Sequence, residues 1–148
     1  MADRVVAHQG AACWATLFTH AHYLPCLAVL LQSMRACQTR YPLVVMVTET
    51  VDARTRERLA RMGCVLRDVD AWRVPHADGS LAFERFQNVW TKLRAFELYE
   101  YERVVMIDSD MLMCHNMDEL FDLPLKRGMI AAAFACTCNP KQIPTYPA

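Results

Sequence analysis

The chain has little that would carry it to a charged surface or into a bilayer. Sixteen Lys and Arg balance sixteen Asp and Glu, so it has no net charge at pH 7. Neither a nucleic-acid backbone nor an anionic membrane is therefore an expected partner. No apolar run approaches the roughly 20 residues that a membrane-spanning helix needs; the longest, residues 23–31, contains Pro25. The opening Met-Ala-Asp-Arg lacks a basic stretch leading into an apolar one, so no cleaved signal peptide is expected and the expected setting is cytoplasmic. Internal repeats and low-complexity tracts are missing as well. Seven cysteines, an odd number, are scattered without a zinc spacing. They read as buried thiols in a reducing compartment rather than a disulfide framework. The five histidines form no metal-like pair, and His20 and His22 read as ordinary solvated or hydrogen-bonding residues.

What is there describes one domain. The chain has 148 residues, 54% of them hydrophobic, enough for a real core and too apolar for disorder. Apolar runs at 13–19, 43–48, 64–69, 103–107 and 129–135 read as strands. Residues 23–37 read as a helix burying Leu27, Leu30, Leu31 and Met34. Residues 52–62 read as a charged amphipathic helix, with Asp52 as N-cap and Gly63 as its stop. A loop is expected over 70–87, a helix over 89–99 capped by Asn88, and a helical turn over 118–123 ended by Pro124. Trp90 and Phe96 are expected in the core. Strand and helix alternate throughout, which predicts an α/β fold with a mainly parallel sheet flanked by helices. The tail, 136–148, has three prolines and no periodicity and reads as a loop.

The most informative segment is Val104-Val105-Met106-Ile107-Asp108-Ser109-Asp110. A buried strand runs straight into two carboxylates spaced i and i+2. If the chain stays extended past Ile107, both point to one side at the strand's carboxyl end, where open α/β sheets bind ligands. Two hard oxygen ligands suit Mg²⁺ or Mn²⁺ and, through the ion, a diphosphate. Nine Asp in 148 residues give roughly half an Asp-x-Asp by chance, so the spacing alone is weak. A second copy, Asp68-Val69-Asp70, follows a shorter apolar run and continues into polar sequence. It reads as a strand end meeting water. The copy at Asp108 has apolar residues on both sides, and carboxylates in an apolar wall are costly unless paired or bound to a cation.

Three segments, in order and spacing, resemble glycosyltransferase family 8, the glycogenin and galactinol-synthase family. They are Ala15-Thr16-Leu17-Phe18-Thr19 with Tyr23 and the helix through Leu30-Leu31-Gln32-Ser33-Met34; Trp90-Thr91-Lys92-Leu93-Arg94-Ala95-Phe96; and Val104 through Asp110 with Asn116-Met117-Asp118-Glu119-Leu120-Phe121. The resemblance covers residues 12–135, and 133–140 look like the branch found in fungal members. It implies a GT-A (Rossmann-like) fold, a UDP-hexose donor (glucose or galactose), Mn²⁺ or Mg²⁺, and hexose transfer with retention to an acceptor that stays open. By position it implies that Thr16, Leu17, Thr19 and Tyr23 hold the uracil and ribose. His20 stands where many members have Asn. Asn88 would line the nucleotide pocket and Lys92 reach the donor. Asp108 and Asp110 would hold the metal, and the backbone of Ser109 would meet the ribose. Arg85 is matched to a sugar-contacting arginine. No catalytic nucleophile is implied.

The chain stops before the family's later motifs, including the histidine that supplies a third metal ligand. The expectation is thus the N-terminal, nucleotide-sugar-binding part of one glycosyltransferase domain, spanning 1–148 and truncated at the carboxyl end. Two alternatives stand beside it. One is a fragment that does not catalyse. The other is a haloacid-dehalogenase-like phosphohydrolase, whose Asp-x-Asp also follows an apolar strand but normally the first one.

Overall fold

The computed structural model describes residues 12–72, 89–126 and 128–133. Four strands form one sheet: β1 (Ala12–Phe18), β2 (Leu43–Val47), β3 (Val65–Asp68) and β4 (Arg103–Met106). Their order is β3-β2-β1-β4, and every neighbouring pair is parallel. Helices α1 (Leu24–Ala36) and α2 (Ala53–Arg61) connect the first three strands, and a 3₁₀ turn, Ala21–Tyr23, leads into α1. Further 3₁₀ segments, Thr91–Glu97 and Asp118–Asp122, lie on either side of β4 in sequence. This is the parallel α/β architecture that the alternation predicts.

Strands covered on both faces read as continuous apolar runs, and β2 is buried at all five positions. The pleat divides β1 between two clusters. Ala12, Trp14 and Phe18 pack with Leu27, Leu30, Leu31 and Met34 of α1, while Cys13 and Ala15 pack with Val44, Met46 and Leu98 on the other face. Truncating a side chain as enclosed as Leu27 would cost about 2–5 kcal/mol.

The helix ends are chemically specified. Pro25 sits in the first turn of α1, where its missing N–H leaves no bond unmade. Asp52 caps α2 by accepting from Thr55 N at 2.8 Å, and Gly63 ends it at φ +86°, a left-handed conformation suited to glycine. Cys64 N then closes on Leu59 O at 3.2 Å. α1 ends in the same way, but with a side chain in the strained position: Gln38 has φ 55°.

The order of connections sets the site. From β1 to β3 the chain steps outward with both helices on the Trp14 face. It then returns to the far side of β1, and this return packs Ala95 and Leu98 on the opposite face. Reversing direction and face together keeps the hand of the crossovers constant. The carboxyl ends of β1 and β4 are thereby left as a topological switch point.

Four expectations need correction. Residues 129–133 form no strand. Met129 N bonds to Lys126 O at 3.0 Å, so the chain turns there, and Met129 and Ile130 face solvent. The remainder of that run, 134–135, lies outside the described residues, as do 73–87 and the tail 136–148. The stretch after Val89 is helical but runs as 3₁₀ over Thr91–Glu97. Three residues per turn align Trp90, Leu93 and Phe96, and that side is exposed at 43%, 38% and 62%. Trp90 and Phe96 are therefore surface residues; the buried side is Thr91 with Leu98. Cys13 and Cys64 are buried as expected, but Cys26 and Cys114 are exposed. Finally, β4 ends at Met106 and the chain does not stay extended through the carboxylates.

Candidate functional site

The ladder between β1 and β4 continues one bond beyond the strand, with Ile107 N donating to Ala15 O at 2.9 Å. The backbone then turns, and Met111 N bonds to Asp108 O at 3.2 Å. Asp108 and Asp110 are thus presented from a tight turn at the end of β4 rather than from one face of a strand. Both are exposed, as are Met111 and Leu112. The wall around them is wetter than the apolar flanks suggest; among the described residues β4 pairs with β1 alone.

The turn nonetheless brings both carboxylates to one cavity of about 400 Å³ at the switch point. The end of β1 contributes Leu17, Thr19 and His20, and the 3₁₀ turn contributes His22 and Tyr23. Across from them in sequence come Val89, Lys92, Asp108, Ser109 and Asp110. Of the residues expected at a site, Leu17, Thr19, Tyr23, Lys92, Asp108, Ser109 and Asp110 meet here. Thr16 does not line the cavity: it is fully buried, and its Oγ1 has no hydrogen-bond partner among the described residues. Asn88 and Arg85 lie outside the described residues.

Hydrogen bonds fix the cavity's walls. Thr19 O accepts from Thr50 Oγ1 at 2.6 Å, and Thr50 Oγ1 also meets Thr48 Oγ1 at 2.7 Å, tying the end of β1 to the end of β2. Thr19 Oγ1 lies 2.9 Å from His20 Nδ1. Thr91 is buried, with its hydroxyl accepting from Trp72 N at 3.0 Å. Anchoring Thr91 inward sets Lys92 toward the cavity, where its Nζ donates to Asp108 Oδ1 at 2.6 Å.

Sequence reasoning gave no site role to His22 or Val89, and for His20 noted only that it stands where many members have Asn. The available signal was positional: the two histidines fall between Thr19 and Tyr23, on the turn that leaves the binding end of β1. Their rings and that of Tyr23 meet in series as tilted contacts, with centroids 5.4 Å apart for His20 and His22 and 4.0 Å apart for His22 and Tyr23.

The other Asp-x-Asp lies beside a second cavity of about 300 Å³, with Arg56, Arg94 and Glu97 among its lining. Arg56 reaches Asp68 and also donates to Val51 O and Thr48 O, each at 2.8 Å. Arg94 pairs with Glu97 at 2.5 Å. Arg94 also donates to the backbone carbonyl of Asp70 at 3.2 Å, and the Asp68 side chain, at the end of β3, is 82% exposed, in keeping with a strand end meeting water.

The later motif is structural. Asp118 is buried and accepts from Thr39 Oγ1, from Arg40 N at 3.0 Å and from Arg40 Nε at 3.4 Å. Asn116 Oδ1 accepts from Asp118 N at 2.8 Å, and its amide donates to Cys37 O at 3.0 Å. Burial raises the Asp118 pKa, but the bonds from Thr39, Arg40 and Asn116 outweigh it and hold the carboxyl below its ordinary value. The motif clamps the chain after β4 onto the end of α1.

Comparison with known proteins points to one family. The model of "Glycosyl transferase family 8" matches residues 15–143. Galactinol synthase 5 of Arabidopsis thaliana is 31% identical over 140 residues, covering 93% of this chain and 41% of its own length. Galactinol synthase 2 of Solanum lycopersicum is 32% identical over 74% of this chain and 32% of its own length. Galactinol synthase 2 of Ajuga reptans is 33% identical over 74% of this chain and 37% of its own length. The chain thus spans about two fifths or less of these relatives. A match over most of the chain leaves no room for the phosphohydrolase alternative, and the parallel sheet with its flanking helices fits a GT-A-like fold. The chain belongs to glycosyltransferase family 8.

Proposed function

We propose that residues 1–148 form the donor-binding part of a retaining hexosyltransferase, of the family's fungal type, that takes a UDP-hexose in the cytoplasm with Mn²⁺ or Mg²⁺. The observation that carries this reading is the single cavity at the switch point, lined by Leu17, Thr19 and Tyr23 together with Lys92, Asp108 and Asp110. A nucleoside diphosphate has an aromatic end and an anionic end, and the lining offers groups for both. No helix among the described residues is long and apolar enough to cross a membrane.

The donor set fits a hard divalent ion. Two carboxylates supply oxygen ligands, and among the described residues no cluster of three or more His, Cys, Asp or Glu could enclose an ion with protein groups alone. Water and the diphosphate would complete the shell. Asp108 and Asp110 would hold the ion, which when bound stabilises negative charge on the departing nucleotide. Lys92 would contribute a compact cation to the diphosphate, once released from Asp108. Leu17 and Tyr23 would pack against the nucleoside, and Thr19 and the backbone of Ser109 would orient it. The acceptor is open. The relatives' name makes galactinol formation the first transfer to assay, with UDP-galactose and UDP-glucose both offered as donors.

The test is titration of the chain with UDP, with and without Mn²⁺, repeated with Asp110→Asn. Metal-dependent UDP binding that the variant loses is the expected result. Binding indifferent to Mn²⁺ and to the substitution would refute the donor-site reading. A folded chain that binds UDP but transfers no hexose to any acceptor would leave the non-catalytic fragment in its place.

A further inference from the structure

The reading of the cavity as a nucleotide-sugar site leaves His22 without a role, although it lines that cavity. Its ring sits 4.0 Å from the ring of Tyr23, tilted by 42°, and 5.4 Å from the ring of His20. His20 is itself held, with Nδ1 2.9 Å from the buried Thr19 hydroxyl. The three rings therefore form a chain of tilted contacts, at 52° and 42°, whose inner end is tied to β1. Its outer end, Tyr23, is 39% exposed. Tyr23 begins α1 with no side-chain capping bond, and it lines the cavity. A lone exposed tyrosine would exchange rotamers freely. One packed against a neighbour whose own neighbour is hydrogen-bonded is pre-organised, and pre-organisation lowers the entropic cost of binding.

We infer that His22 is a positioning residue: it holds Tyr23 as the aromatic wall on which the nucleobase stacks. The inference rests on the donor-site reading and adds to it a residue that touches Tyr23 rather than the diphosphate. Its signature is selectivity within one ligand. Loss of His22 weakens the part of the affinity that comes from the nucleoside and leaves the part that comes from the phosphates.

The experiment compares UDP with inorganic pyrophosphate, both with Mg²⁺, on the full chain and its variants. Tyr23→Ala should weaken UDP about tenfold or more, the usual worth of base–aromatic stacking. His22→Ala should weaken UDP by about 3- to 10-fold, the range of an aromatic pair. Neither should change pyrophosphate binding, and His22→Phe, which keeps a ring that can stack, should restore UDP affinity. If His22→Ala binds UDP as the unmodified chain does, or loses pyrophosphate in equal measure, the positioning role is wrong while the donor site stands. If the unmodified chain binds neither probe, the donor-site reading fails and this role fails with it.

Discussion

Lys92 Nζ donates to Asp108 Oδ1 at 2.6 Å, joining the 3₁₀ segment before β4 to the turn after it. Both side chains are partly exposed, at 36% and 49%, and ion pairs that solvent reaches contribute at most about 1 kcal/mol to stability. The pair is thus easily exchanged for other partners. Lys92→Met should leave the melting temperature nearly unchanged. It should weaken UDP binding in the presence of Mn²⁺ by about tenfold, the scale of one hydrogen bond between charged groups. Calorimetric titration beside a thermal melt separates the two effects. A large fall in stability with unchanged UDP affinity would make Lys92 a structural residue.

Asp118 answers to pH rather than to ligand. Its carboxylate receives bonds from Thr39 Oγ1 and Arg40 N, and Trp14 Nε1 donates to the same Thr39 hydroxyl at 2.8 Å. Asp118→Ala leaves these donors unmatched and should cost about 1–3 kcal/mol at neutral pH. Because the folded pKa is lowered, the carboxylate's contribution is fully present above the unfolded value. It is lost as pH falls through the folded one. Denaturant melts of the two proteins should therefore differ most near pH 7 and converge as the pH drops below the ordinary carboxylate range. A constant gap across that range would contradict the assignment.

Two helix ends make opposite predictions. Gln38 holds φ 55° at the end of α1, where an L side chain is strained and glycine is not. Gln38→Gly should stabilise by about 0.5 kcal/mol, strain relief exceeding the added freedom of the unfolded chain. Gly63 holds φ +86°, and a Cβ there would come within 3.1 Å of Arg35 Nη2. The arginine tip can shift but the backbone angle cannot, so Gly63→Ala should destabilise by about 1 kcal/mol or more. Urea melts of both variants should move their midpoints in opposite directions.

These features differ in how far the sequence discloses them. Leu43 through Val47, and the Asp52 and Gly63 pair around α2, are local signals: a strand buried on both faces is apolar at each position, and a cap needs its own residue types. The carboxylates of Asp108 and Asp110 are legible as residues, but their turn is not, because the path after a strand depends on which neighbours continue the ladder. Trp90 and Phe96 fail for a related reason. Apolar residues three and six positions apart, Trp90, Leu93 and Phe96, suit a buried α-helical face loosely and a 3₁₀ stripe well, and the choice is made by what Thr91 and Leu98 pack against. The role of Asp118 depends on Thr39 and Arg40, remote in sequence and without any local mark. The same holds for His22, whose meaning is the ring beside it.

The cysteines test the packing without any ligand. Cys13 lies in β1 with no exposed surface, and burial, aided by the negative charge of Glu100, pushes its thiol up to about 12. Burial likewise raises Cys64 to about 11, against a smaller opposing effect of Arg35. The thiolate is the reactive form, so both are protected twice, by access and by protonation. Cys26, on the outer side of α1, and Cys114, after the carboxylate turn, are exposed. Brief alkylation at pH 8 followed by peptide mass analysis should label Cys26 and Cys114 in the folded chain, and Cys13 and Cys64 only after denaturant is added. Labelling of Cys13 at the rate of Cys26 would mean that the face of the sheet covered by Leu98 opens readily. Thr91 and Lys92 belong to the same covering segment, so that opening would disturb the cavity as well.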